Sequence, residues 1–232
     1  VMRGEQDEAE ALIMINPHLL NHKGSGKEFH NGREFKSITP FQYALWALDW
    51  YMWDMMMKYI EHSQARSQLE ELENRGTEHG KQFNGFDRLI NAYQVYIDKF
   101  DGWEGDQRVQ HWCKVVGGAQ KDLPVHALQE YWRTDRSMDP TPDFKDKRGK
   151  DQGDLGGAVD DIDWSDFAES WAAARGNNLD AGCIERYATW MQRQRSTVMV
   201  DSRGIVSLKD TRNSQYKELR ETLSKAPGLR IR

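Results

Sequence analysis

Seven histidines, at His18, His22, His30, His62, His79, His111 and His126, are the natural proton carriers and metal ligands of this chain. His18 and His22 stand four apart, which on a helix would put two imidazoles on one face. Pro17 and a polar loop interrupt that helix, so the spacing does not build a metal site. His111 and Cys113 are two apart and, at about 100° per residue, would point to nearly opposite sides of a helix. The GSGK run at 24–27 lacks the spacer, and the Ser or Thr after Lys, with which a phosphate loop wraps phosphate and magnesium. Gly117-Gly118 and Gly156-Gly157 lack the dinucleotide fingerprint. The acidic DDIDWSD run at 160–166 has no calcium-loop glycine after it and reads as a capped helix start. No catalytic residue, metal ligand or cofactor is nominated, and an enzyme acting on nucleotides is the weakest reading.

The other chemistry-bearing stretch is ITPFQYALWALDWYMWDMMM, residues 38–57, with its tryptophans, tyrosines and methionines. A stripe such as Trp46, Trp50, Trp53 and Met57 at helical spacing is the pattern of ordinary core. Tyr43 and Tyr51 pose the sharper alternative, because each phenol joins a flat stacking face to a polar tip. Eight residues apart on one straight helix, they would be about 12 Å apart along the axis. A ring stacked on both sides needs flanking planes roughly 7 Å apart, judged from van der Waals contact. Only a turn near Asp49 could bring the two together.

Stepping outward, the chain has 232 residues, 38% hydrophobic and 30% charged. Its mean hydropathy is −0.85 and its pI about 5.8. The 9 Trp, 8 Tyr and 8 Phe supply large pieces of apolar surface, so a core can form around aromatic and Met packing. A net charge of −5 is not the positive excess that nucleic-acid binding uses. No apolar run approaches the roughly 18 residues that span a bilayer. The opening VMRGEQDEAEALIMIN has no signal architecture and reads as a piece of a longer chain. Cys113 and Cys183 form no framework and no CxxC pair, which fits a reducing compartment.

The elements that must hold these residues are mainly helical. EAEALIMI has helical spacing until Pro17. Asn31-Gly32 predicts a small exposed β-hairpin over about 26–37, through a type I′ turn. Thr39-Pro40 starts a helix that runs to Leu48, with a turn near Asp49. Trp50 to Ile60 forms a second helix, and ARSQLEELENRG is a solvated extension ending at Gly76. FDRLINAYQVYIDKF, RVQHWCKVVGGAQ and PVHALQEYWR are further helices. The Pro- and Gly-rich 139–157 stretch marks a lobe boundary. Beyond it come helices in DWSDFAESWAAARG and in residues 180–197. A short β-like piece (TVMV or GIVSL) follows near 197–208, and then a last helix, NSQYKELRETLSK. Thr39-Pro40-Phe41 with Ala44 echoes the opening of an ankyrin unit, without a second copy.

GREFKSITPFQYALWALDWYMW, FDRLINAYQVYIDKFDGW, HWCKVVGGAQKDLP and HALQEYWRTDRSMDP together resemble the KLAMP domain, a module of Legionella effector proteins. The similarity spans about residues 20–142. It implies a mostly helical domain that binds an adenine nucleotide, cyclic AMP or ADP. It also implies an effector delivered by a type IV system into the host cell cytoplasm. Tyr43 and Tyr51 would then flank the base, although Tyr51 and Tyr59 share the same spacing, and Arg33, on the preceding hairpin, would meet the phosphate. The expectation is a mainly α, compact multi-helix domain over 1–232 with a small hairpin and one ankyrin-like helix pair. The alternative function is a helical protein-interaction module docking a host protein.

Overall fold

The computed structural model describes residues 1–132, 139–146 and 195–225. Among the described residues the fold is mainly α with one small antiparallel sheet, as expected. Contacts divide the chain into two compact units, Val1–Phe83 with Asp210–Arg232, and Asn84–Lys209. The lobe boundary expected near 139–157 lies mostly outside the described residues.

The first unit opens with α1 (Gln6–Ile15) and a 3-10 turn over Pro17–Asn21, where Pro17 stops the α-helix. Strands β1 (Gly24–Lys27) and β2 (Glu34–Ile38) pair with Lys27 opposite Glu34 and Gly26 opposite Phe35. The hairpin is present, but its connection runs from Glu28 to Arg33. Gly32 alone of the Asn-Gly pair has positive φ, so the turn is not type I′. Instead Gly32 N donates to the Glu28 carbonyl, and Arg33 N donates to Asn31 Oδ1. The Asn31 side chain thus replaces the backbone geometry that type I′ would have required.

Helix α2 (Pro40–Ala47) begins at a capping box. Thr39 Oγ1 accepts from Gln42 N at 3.0 Å while Gln42 Oε1 accepts from Thr39 N at 3.3 Å. It ends where Leu48 turns left-handed at φ 59 and Asp49 N donates back to the Ala44 carbonyl. Asp49 Oδ1 then accepts from Met52 N and starts α3 (Trp50–Met56). The turn foreseen near Asp49 is therefore built from one helix's left-handed stop and the next helix's cap. Helix α4 (His62–Arg75) ends at Gly76, whose φ of +71 suits glycine. It is not a solvated extension: Ala65, Leu69 and Leu72 are buried, and α4 packs on α2. Its apolar stripe at i, i+4, i+7 is narrow, and the intervening charges mask it in the sequence.

The second unit holds α5 (Gly85–Lys99), a 3-10 turn at Phe100–Gly102, α6 (Gly105–Gln110), a π-helical turn at His111–Gly117, α7 (Gly118–Lys121) and α8 (Val125–Trp132). Phe86, Leu89, Tyr93, Tyr96 and Ile97 form the buried face of α5. A final helix, α9 (Arg195–Ser224), replaces the expected β-like piece. Its β-branched residues suggest strand, but Val198, Asp201, Ile205, Leu208 and Arg212 recur at three and four and are all buried. Burial along a 3.6-residue period overrides local β preference. The helices expected in 163–176 and in most of 180–197 lie outside the described residues. Among the described residues no helix is long and apolar enough to cross a membrane.

Candidate functional site

The aromatic stretch is the core of the first unit. Phe41, Leu45, Trp46, Met52, Trp53, Met55 and Met56 are all buried. Tyr43 is 1% exposed and Tyr51 5%. The tyrosine pair therefore does not present two open faces to a base, and the reason lies in what surrounds each ring. Phe35 meets Tyr43 edge-on, with ring centroids 5.3 Å apart, and Trp46 lies 6.2 Å away. The phenol donates to Glu28 Oε1 at 2.7 Å. Burial first, then the Glu28 carboxylate, pushes the Tyr43 hydroxyl well above its ordinary pKa. Tyr51 sits in different company. Arg212, itself fully buried on α9, places its guanidinium 4.7 Å from the Tyr51 ring centre and 5.6 Å from that of Trp50.

Arg33 does come together with Tyr43, but through a shared acid. Its guanidinium donates to Glu28 Oε2 at 2.7 Å, and Asn31 Nδ2 donates to the same oxygen at 2.6 Å. The guanidinium also lies 5.1 Å from the Trp46 ring centre and 5.4 Å from that of Phe83. With Glu28 fully buried, this is an internal ion pair, and its cation is engaged before any phosphate arrives. Glu28 is the residue that sequence reasoning missed. Its bond to Tyr43 crosses fifteen positions, and no periodicity announces it.

A cleft of about 310 Å³ in the first unit is lined by Asn21, Lys23, Thr39, Ser63, Gln64, Ser67, Gln68 and Glu71. Neither tyrosine lines it. Its polar groups largely satisfy one another. Gln68 Nε2 donates to the Leu20 carbonyl and to Asn21 Oδ1, Thr39 Oγ1 donates to Gln68 Oε1, and Lys23 donates to Glu71 at 2.6 Å. The Lys23 and Gln42 hydrogen bonds hold the Glu71 carboxyl below its ordinary pKa. Among the described residues no group of three or more His, Cys, Asp or Glu could hold a metal ion.

The exposed apolar surface lies elsewhere, on α1 and the turn after it. Ala9 and Ile13 point inward and are buried, while Leu12 is 60% exposed, Met14 64%, Ile15 83% and Leu19 37%. At about 100° per residue, Ile15 points roughly 140° away from the buried side set by Ala9 and Ile13, and Leu12 lies on its flank, roughly 80° from it. The sequence carried a signal for this: residues 11–15, ALIMI, are apolar without a break. No amphipathic helix can bury five consecutive apolar side chains on one face, so some of them must meet solvent. Scattered exposed apolar residues are normal, but contiguous ones mark contact surfaces.

A family model described as the CBUA0006 C-terminal domain matches residues 88–223. The uncharacterized protein CBUA0006 of Coxiella burnetii (strain RSA 493 / Nine Mile phase I) is 32% identical over 250 residues, covering 96% of this chain and 73% of that protein. No solved structure gives a significant match.

Proposed function

This chain belongs to the family of the CBUA0006 C-terminal domain, and from that premise we propose that it is a helical protein-interaction module, docking through α1 and the turn after it. The observation that carries the proposal is the exposed apolar side chains Leu12, Met14 and Ile15 on α1, which Ala9 and Ile13 anchor, and Leu19 on the turn after it. Water-facing Leu and Ile lose unfavourable hydration when a partner covers them, and Met adapts to the partner's shape. The setting proposed with it is the one implied by the resemblance to Legionella effectors, delivery by type IV secretion into a host cell. A translocation reporter fused to the chain checks that setting, and absence of reporter signal in host cytosol removes it.

The test of docking is a photo-crosslinker placed at position 15, followed by reconstitution with the purified crosslinked protein. Leu12→Ser and Ile15→Ser should each weaken that complex by about tenfold or more, as central interface contacts do. A complex indifferent to both substitutions overturns the proposal.

An adenine-nucleotide-binding module for cyclic AMP or ADP is the second reading. It rests on the KLAMP resemblance, and the polar cleft of about 310 Å³ is large enough for a small ligand. The base would then sit away from Tyr43 and Tyr51. Calorimetry with cyclic AMP, ADP and ATP decides it, and absence of heat with all three removes it.

A further inference from the structure

The charge around the exposed face says what kind of partner fits it. Taking Glu8 as the reference direction on α1, Leu12 and Ile15 lie within about 40° of it and Glu5 within about 60°. Glu5, Asp7 and Glu8 are all exposed at the start of the helix, and the nearby basic side chain in that segment is Arg3. On the elements packed against α1, Lys58 is already paired with Glu10, and Tyr59 also donates to Glu10. His18 and His22 flank the far end, both exposed. The face is therefore graded, carboxylates at one end and bare Leu and Ile at the other. Leu12 and Ile15 form a short apolar stripe on one side of α1, with Glu8 one turn before them on the same side.

We propose that the occupant of this face is a cationic amphipathic helix of another protein. Its apolar seam would cover Leu12, Ile15 and Leu19, and its Lys or Arg side chains would oppose Glu5 and Glu8. The proposal rests on the docking reading above and names the partner for that same surface. A lipid surface fits less well, because anionic headgroups would meet the same carboxylates. A second copy would bring carboxylates of like sign into one interface.

The experiment uses the full chain and two fluorescein-labelled eighteen-residue peptides with identical leucine spacing, one carrying lysines and the other glutamates on the polar face. Fluorescence anisotropy should give at least tenfold tighter binding for the lysine peptide, and raising NaCl to 0.5 M should weaken it. Ile15→Ser should weaken it about tenfold, with the circular-dichroism melt unchanged, and Glu5→Lys with Glu8→Lys should abolish the preference for lysine. Equal binding of both peptides, lost in Ile15→Ser, overturns the charge assignment but leaves docking at this face standing. Lysine-peptide binding that survives Ile15→Ser and Leu12→Ser is diffuse attraction, and overturns the proposal. So does stronger binding to phosphatidylserine vesicles, or dimerisation in sedimentation that Ile15→Ser dissolves. Absence of binding to either peptide overturns the cationic-helix assignment, while the crosslink at position 15 separately decides docking.

Discussion

Residues 40–56 and residues 6–19 are both helical and rich in apolar side chains, and they place that surface oppositely. In the first stretch Phe41, Tyr43, Trp46, Met52, Trp53 and Met56 are buried, with the Tyr43 hydroxyl tied to Glu28 and the Met52 N–H to Asp49. In the second, Leu12, Met14 and Ile15 face water although α1 is well anchored by Ala9 and Ile13. The denser aromatic segment is thus the one packed inside, and the plainer aliphatic segment is the one left facing water. Aromatic density measures how much surface a segment can bury, and only exposure tells whether it is left for something else.

The contrast can be broken or sharpened by substitution. Tyr43→Ala removes a core ring and should cost about 4 kcal/mol, read by urea denaturation. An unchanged midpoint would make Tyr43 a ligand-facing residue after all. Glu28→Ala takes the buried carboxylate away from the half-buried Arg33 guanidinium and the Tyr43 hydroxyl, and should cost about 3 kcal/mol. Tyr43→Phe keeps the ring and deletes one charge-assisted hydrogen bond, and should cost about 1.5 kcal/mol in the same assay. Glu71 gives a smaller, pH-dependent effect. Its folded pKa is depressed by Lys23 and Gln42, so its stabilisation is complete above the unfolded carboxylate value of about 4.3 and is lost as pH falls through the lower folded value. Glu71→Gln should flatten the stability–pH curve in that acid window, and an unaltered slope would contradict the pairing. Smallest of all, Leu12→Ser or Ile15→Ser should leave folding stability within about 0.5 kcal/mol of the parent. A larger loss would mean that this face is part of the core, and the contrast between the two stretches would fail.

Much of this fold was legible in the sequence wherever a local rule determines local structure. Thr39-Pro40 announces a helix start because a hydroxyl and a ring act on the next few residues, and both the capping box and the stop at Leu48 followed. The hairpin was legible from Asn-Gly, although the turn type was not, because the Asn31 side chain took over a hydrogen bond that backbone geometry was expected to supply. Non-local facts were hidden. Burial of Tyr43 depends on Glu28 and Phe35 from the hairpin, and that of Tyr51 on Arg212, far along the chain. The helix through Val198 and Ile205 was misread as strand because its period shows only over several turns. The exposed face of α1 was readable from ALIMI, but exposure draws notice only when the count of apolar neighbours is set against the width of one helical face.

Helix α9 has one further consequence. Its residues up to Lys209 group with one packing unit and those from Asp210 with the other, while the family match begins at 88 and stops at 223. The stretch that the family model matches and the stretch that packs together therefore do not coincide. A chain cut to end at Phe83 would keep Trp50, Tyr51 and Trp53 but forfeit Arg212 and Tyr216, the side chains set against them. Anyone dividing this protein for separate expression should carry residues 210–224 along with the amino-terminal part, joined by a linker if need be, or expect a sticky, aromatic-faced remnant.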